Sequence, residues 1–274
     1  MLKSMNLIPA IAVLGMSGTA ALAQPLSVQI ENTSVSDGFF FTPFWISASN
    51  GSFDSFSAGA SAGGFPGITE IAEGGDTGPI STAFGASGAG MAGGVQATVT
   101  SVAFGGDAPV FSPGESTTYS LDVGDSSVNR YFSFASMVIP SNDLFIGNDN
   151  PMAYELFNGS GMFNGPMVIE IYGRDVYDNG SEYNSATGGA AFSANGGASV
   201  SESMLIRSFF TDGGDQGYLD SFIGSGTANG ATIGSSFGSG DLIARITINQ
   251  VPAPSGVAAL VAGGLVMGRR CRSA

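Results

Sequence analysis

The stretch VIPSNDLFIGNDN, residues 138 to 150, sets Asn142, Asp143, Asn148, Asp149 and Asn150 around one short apolar run. Side-chain oxygens crowded at a strand end suit two tasks. They can close turns by bonding to the backbone, or they can ligate a hard cation. Carboxylates are also the only reactive groups left to this chain. It contains no histidine, and its single cysteine, Cys271, lies three residues from the C-terminus. That excludes zinc sites of the usual His/Cys kind, Ser-His-Asp and Cys-His nucleophiles, and any imidazole proton shuttle. Two chemistries remain. Calcium takes about six to eight oxygens in loose geometry, drawing on carboxylates, backbone carbonyls and water. Paired acids can instead hydrolyse glycosides, at separations of about 5 Å for retention or about 6.5–9.5 Å for inversion. Glu70 or Glu73 with Asp76 would be the pair for that reaction, although nothing in the sequence marks them out. Asp212-Gly-Gly-Asp215 lacks the closing Glu of an EF-hand loop, and Gly238-Ser-Gly240-Asp241-Leu242 has no tandem copy, so both read as turns.

The elements that must position these groups are strands. The 274 residues include 43 Gly, 12 Pro and 20 Phe, with few of the long charged residues that favour helices. Period-two alternation marks LSVQIEN (26–32), TTYSLDV (117–123), RYFSFASMVI (130–139), MVIEIYG (167–173) and DLIARITINQV (241–251). In the last of these, Leu242, Ala244, Ile246 and Ile248 share one face. ITEIAEGG (68–75) is expected as one short helix with Glu70 and Glu73 on one side. The small-residue runs 57–64 and 85–94 are expected as flexible loops, and Trp45 as a core residue. Short strands with Gly-rich connections predict an all-β antiparallel sandwich, filling residues 24–251 as one domain.

Both ends of the chain carry sorting signals. Residues 1–23 follow the plan of a secretory signal peptide: Lys3, an apolar run, then Ala21-Leu22-Ala23. Residues 252–274 join VPAP to an apolar run and a basic end, Arg269, Arg270 and Arg272. About a dozen apolar residues is marginal for a bilayer core of roughly 30 Å. This tail resembles the PEP-CTERM sorting signals of Gram-negative bacteria, with VPAP in place of the commoner VPEP. The resemblance implies export to the cell surface, passing contact with the membrane, and removal of the tail by an exosortase. The domain between the ends keeps Arg130, Arg174, Arg207 and Arg245 against all 22 acidic residues. Such a surface repels nucleic acid and anionic lipid and attracts cations.

Three separated segments resemble the spondin N-terminal domain family. These are FFFTPFWISASNGSFDSFSAGASAGGFPGITEIAEGGDTGPI (39–80), RYFSFASMVIPSNDLFIGNDN (130–150) and IEIYGRDVYDNGSEYN (169–184). Their order and spacing agree across roughly 30–250. The resemblance implies a C2-like sandwich with long Gly-rich loops, at most short helices, and one calcium site at its edge. By position the metal ligands would be Asp143 of PSND, Asp178 of the DNGSE turn and, by a looser match, Asp122 of TTYSLDV. Three clustered carboxylates with no Lys or His nearby in sequence would repel one another, which a calcium ion relieves.

The function expected from the sequence is a secreted, envelope-associated, calcium-binding adhesion or matrix module without catalytic activity. Its expected partners are an exosortase during export and an exopolysaccharide or cell-surface ligand. The alternatives are a structural surface or biofilm-matrix component with no specific ligand, and the carboxylate glycosidase described above.

Overall fold

The computed structural model describes residues 25–101, 109–210 and 216–251. The expected signal peptide (1–23), the expected sorting tail (252–274) and Asp212-Gly-Gly-Asp215 lie outside the described residues. Among the described residues twelve strands form two antiparallel sheets. The strands are β1 (Leu26–Asn32), β2 (Phe40–Phe41), β3 (Phe44–Ser49), β4 (Val95–Val99), β5 (Ser116–Leu121), β6 (Tyr131–Ile139), β7 (Leu144–Gly147), β8 (Tyr154–Glu155), β9 (Met167–Tyr172), β10 (Val176–Asp178), β11 (Arg207–Ser208) and β12 (Leu242–Gln250). The smaller sheet runs β5-β1-β12-β9. The larger runs β11-β10-β7-β6-β3-β4, with β2 and β8 also paired to β6. The chain is therefore an antiparallel β-sandwich with long Gly-rich connections and only short helices.

Burial explains why the strands differ in pattern. In β1, Leu26, Val28 and Ile30 face the core while Ser27 and Gln29 do not, because only one face of the smaller sheet is covered. Ile169 and Ile171 of β9 and Ile246 and Ile248 of β12 join them. From the larger sheet, Phe44, Ile46, Phe132, Phe134, Leu144 and Val176 fill the other side of the same core. Burying such a side chain contributes about 1.5–3 kcal/mol, so this layer is the main source of stability. In β12 the register shifts between Leu242 and Ala244, which turns Ile243 inward and leaves Leu242 half-buried. The expected single face therefore holds only from Ala244 onward.

The central strands of the larger sheet are buried on both faces. From Phe132 to Ile139 every residue of β6 is buried, as is all of β3. The outer face, Trp45, Ala135 and Phe145, is covered by a helical layer. That layer comprises α1 (Ile68–Gly74), α2 (Gly78–Ala86) and α3 (Gly88–Met91). A fourth helix, α4 (Gln216–Asp220), packs Tyr218 and Leu219 into the main core. The helix expected over 68–75 is α1. The run 85–94, expected as a loop, is instead largely helical. Pro79 stands in the first turn of α2, Ile80 and Phe84 bury one face at a spacing of four, and Ser87 Oγ caps α3 by accepting from Gly90 N. Trp45 is fully buried, and its Nε1 donates to Gln96 Oε1 at 2.8 Å.

Candidate functional site

The turn between β6 and β7 meets the end of β10 under α1. Leu144 is the register partner of Asp178, and Asn179 N donates to Asp143 O at 3.2 Å, so Asp143 and Asp178 become neighbours from 35 positions apart in the chain. Both carboxylates are fully buried, at 0% exposed. Sequence reasoning placed these two at one site, and the fold brings them together.

The oxygen-rich turn divides its labour. Ser141 Oγ donates to Val138 O and accepts from Leu144 N, closing the turn on itself. Asn142 clips three segments together. Its backbone N donates to Tyr218 Oη at 2.8 Å, its Oδ1 accepts from Ser185 N and Tyr218 Oη, and its Nδ2 donates to Gly188 O. Asn148 Oδ1 accepts from Phe134 N, and its amide nitrogen reaches Ser133 and Asn150. Asp149 and Asn150 are exposed, and Asn150 Oδ1 accepts from Met152 N. Most of the turn's polar atoms are thus structural.

Asp143 is the exception. Its Oδ2 accepts three hydrogen bonds, from Ser181 N at 2.8 Å, Glu182 N at 3.0 Å and Ser181 Oγ at 3.2 Å. Among the described residues its Oδ1 is buried with no hydrogen-bond partner. Burial pushes the Asp143 carboxyl up to about 7, the charge of Asp178 adds to the rise, and the bonds from residues 181 and 182 oppose it. Leaving such an acceptor unsatisfied costs about 1–3 kcal/mol, more when it is charged. Asn179 Oδ1 is a second buried acceptor without a partner. The two side chains are linked through Ser181 Oγ, which accepts from Asn179 Nδ2 at 2.8 Å. Asn179 Nδ2 also donates to Thr69 Oγ1 at 3.3 Å, which ties the turn to α1. On the same helix the Glu73 carboxyl is raised by partial burial, opposed by a Ser181 hydrogen bond and reinforced by the charges of Glu182 and Glu70.

Asp178 is satisfied differently. Its Oδ1 accepts from Gly180 N at 2.8 Å, and its Oδ2 accepts from Asn184 Nδ2 at 2.9 Å. Oδ2 also accepts from Arg207, at 2.8 Å from Nη2 and 3.3 Å from Nε. Arg207 stands directly opposite Asp178 in the β10–β11 pairing. Sequence reasoning missed Arg207 as a member of the site. The available signal was its rarity, as one of four arginines in a domain with 22 acids.

Asp122 does not join this group. It follows β5 at the margin of the smaller sheet, is exposed, and its Oδ1 accepts from Gly124 N at 3.0 Å. β5 pairs with β1, and this placement separates its end from the sheet that carries β7 and β10. Among the described residues no group of three His, Cys, Asp or Glu side chains is placed to hold a metal ion. Asp143 Oδ1 and Asn179 Oδ1 are the site's two buried side-chain oxygens without a partner among the described residues, and Asp178 adds its charge beside Asp143. Asp76, from the expected glycosidase pair, is exposed and caps its own turn through Gly78 N.

A scan against protein-family models matches none, and no curated protein is significantly similar to the chain.

Proposed function

We propose that the chain is a secreted, surface-associated, non-catalytic adhesion or matrix module of the spondin type, with a calcium ion bound at the edge of its sandwich. The observation that carries this reading is Asp143 Oδ1, an acceptor buried beside a second buried carboxylate with no donor to meet it. A hard cation relieves both the missing bond and the like-charge repulsion. Asp143 Oδ1 and Asn179 Oδ1 would supply side-chain ligands, with backbone carbonyls and water completing the shell. Asp178, held by Arg207, would contribute its charge more than a direct bond. Asp122, exposed and capping its own turn, has no part in this set.

The strongly acidic composition favours cations over nucleic acid as partners. The terminal segments support export and exosortase-dependent sorting to a Gram-negative cell surface. An exopolysaccharide or surface glycan is the partner such a location offers. Calorimetric titration of calcium into the full chain and its Asp143→Asn variant tests the ion site. Binding by the wild type that is lost in the variant supports the reading, and a folded wild type that binds no calcium refutes it.

A further inference from the structure

Beside Arg207 a cleft of about 340 Å³ opens between the chain segments 183–184 and 202–209. Tyr183 and Met204 stand at its mouth, 60% and 49% exposed, and Tyr218 contributes to its wall. The two segments are held as an irregular ribbon by Tyr183 N to Val200 O, Glu202 N to Ser181 O and Met204 N to Gly180 O. The ring of Tyr183 is therefore presented by a fixed backbone rather than a free loop.

Two polar features in the cleft are unfinished. Asn184 gives its amide nitrogen to Asp178, while its Oδ1 is buried with no partner. Arg207 Nη2 and Glu202 Oε1 face each other at 4.0 Å, beyond hydrogen-bond reach. A gap of that width is spanned by a hydroxyl that accepts from the guanidinium and donates to the carboxylate. A hydroxyl donor also satisfies Asn184 Oδ1. The charges limit the ligand class. An anion would meet Glu202 and the field of an acidic chain, and a cation would meet the guanidinium. A neutral molecule with several hydroxyls and an apolar face can use acceptor, donor and aromatic ring together.

We propose that this cleft binds one neutral sugar unit, stacked on Tyr183 and hydrogen-bonded by Asn184, Glu202 and Arg207. The inference takes the adhesion reading only as the source of such a ligand, and the cleft does not depend on calcium at Asp143. The test is a titration of the ¹⁵N-labelled full chain with neutral methyl glycosides and neutral oligosaccharides, with glucuronate and glucosamine as charged controls. It is run both in calcium and in chelator. At least one neutral member should give saturable shifts at the amides of Tyr183, Asn184 and Glu202. Tyr183→Ala should weaken that binding by at least about tenfold, while Tyr183→Phe, which keeps the ring, should retain it. Tyr183 is exposed, so neither change threatens the fold. The proposal is overturned if no neutral member gives saturable shifts there, if only the charged sugars do, or if Tyr183→Ala binds like wild type. Sugar binding that persists in chelator leaves both readings standing, whereas sugar binding by a chain that fails the calcium titration leaves this proposal standing while the calcium reading falls.

Discussion

Arg207 Nη2 lies 2.8 Å from Asp178 Oδ2 across the β10–β11 pairing, and the carboxylate it meets is completely buried while the arginine side chain keeps 25% of its exposure. Among the described residues, the ion pairs Arg130–Glu155, Arg245–Glu31 and Arg245–Glu170 all join half-exposed side chains. Exposed pairs contribute about 0–1 kcal/mol, whereas removing one partner of a buried pair costs several times more. Arg207 is thus the protein's own counter-ion for an acidic site.

Arg207→Met should destabilise the chain by about 3–5 kcal/mol in chelator, because it strands the Asp178 charge. Adding Asp178→Asn should recover most of that loss. Urea denaturation of the single and double variants measures both. Equal stability of Arg207→Met and wild type would mean that the pair is not formed.

Without a bound ion, stability should fall as pH rises. The Asp143 carboxyl stands at about 7 in the folded chain, against about 3.9 for an ordinary aspartate in the unfolded one. Between those values the folded state holds a proton that the unfolded state has lost. The Asp143 contribution is therefore complete below about pH 4, declines as pH rises through about 7, and is absent above it. At about 1.4 kcal/mol per unit, the decline amounts to a few kcal/mol. Melts of wild type minus those of Asp143→Asn across this range isolate it. Calcium should flatten the curve at the alkaline end.

Tyr218→Phe should cost about 1–3 kcal/mol, because Asn142 N and Oδ1 both lose the same buried hydroxyl. Calcium stoichiometry should stay unchanged, since the hydroxyl orders the turn without touching Asp143 Oδ1. Thermal melts paired with a calcium titration separate the two effects.

Asp122→Asn should leave stability within about 0.5 kcal/mol of wild type and leave calcium affinity unaltered. Its carboxylate is exposed and, among the described residues, accepts from Gly124 N two positions along. A calcium affinity that drops with this change would restore Asp122 to the ligand set.

Much of the sandwich was legible because β1, β6, β9 and β12 carry their apolar residues where burial requires them, and their observed ends fall within two residues of the expected ones. In the helical cover α1 was legible as well, but α2 and α3 were not. GPISTAFGASGAGM is mostly glycine, alanine and serine, and its helices are selected by Phe84 meeting Trp45 on the sheet, with Ile80 in the same buried cluster, a tertiary arrangement that periodicity does not announce. The same limit applied at the site. Asp143 and Asp178 stand in turns with distinctive sequences. Asp122 was placed by a gapped position alone, and its separation follows from the pairing of β5 with β1. Arg207 reaches Asp178 from 29 positions away through a two-residue strand, which no periodicity announces.

The most direct test of the cation site is calcium titration near pH 7 in buffers of different ionisation enthalpy, comparing wild type with Asp143→Asn. A carboxyl that is partly protonated before binding must release its proton to the incoming ion. The account predicts one calcium bound per chain with release of a fraction of a proton, and loss of both heat and proton release in the variant. Calcium binding that survives Asp143→Asn undiminished, or a folded wild type that takes up none, would contradict it.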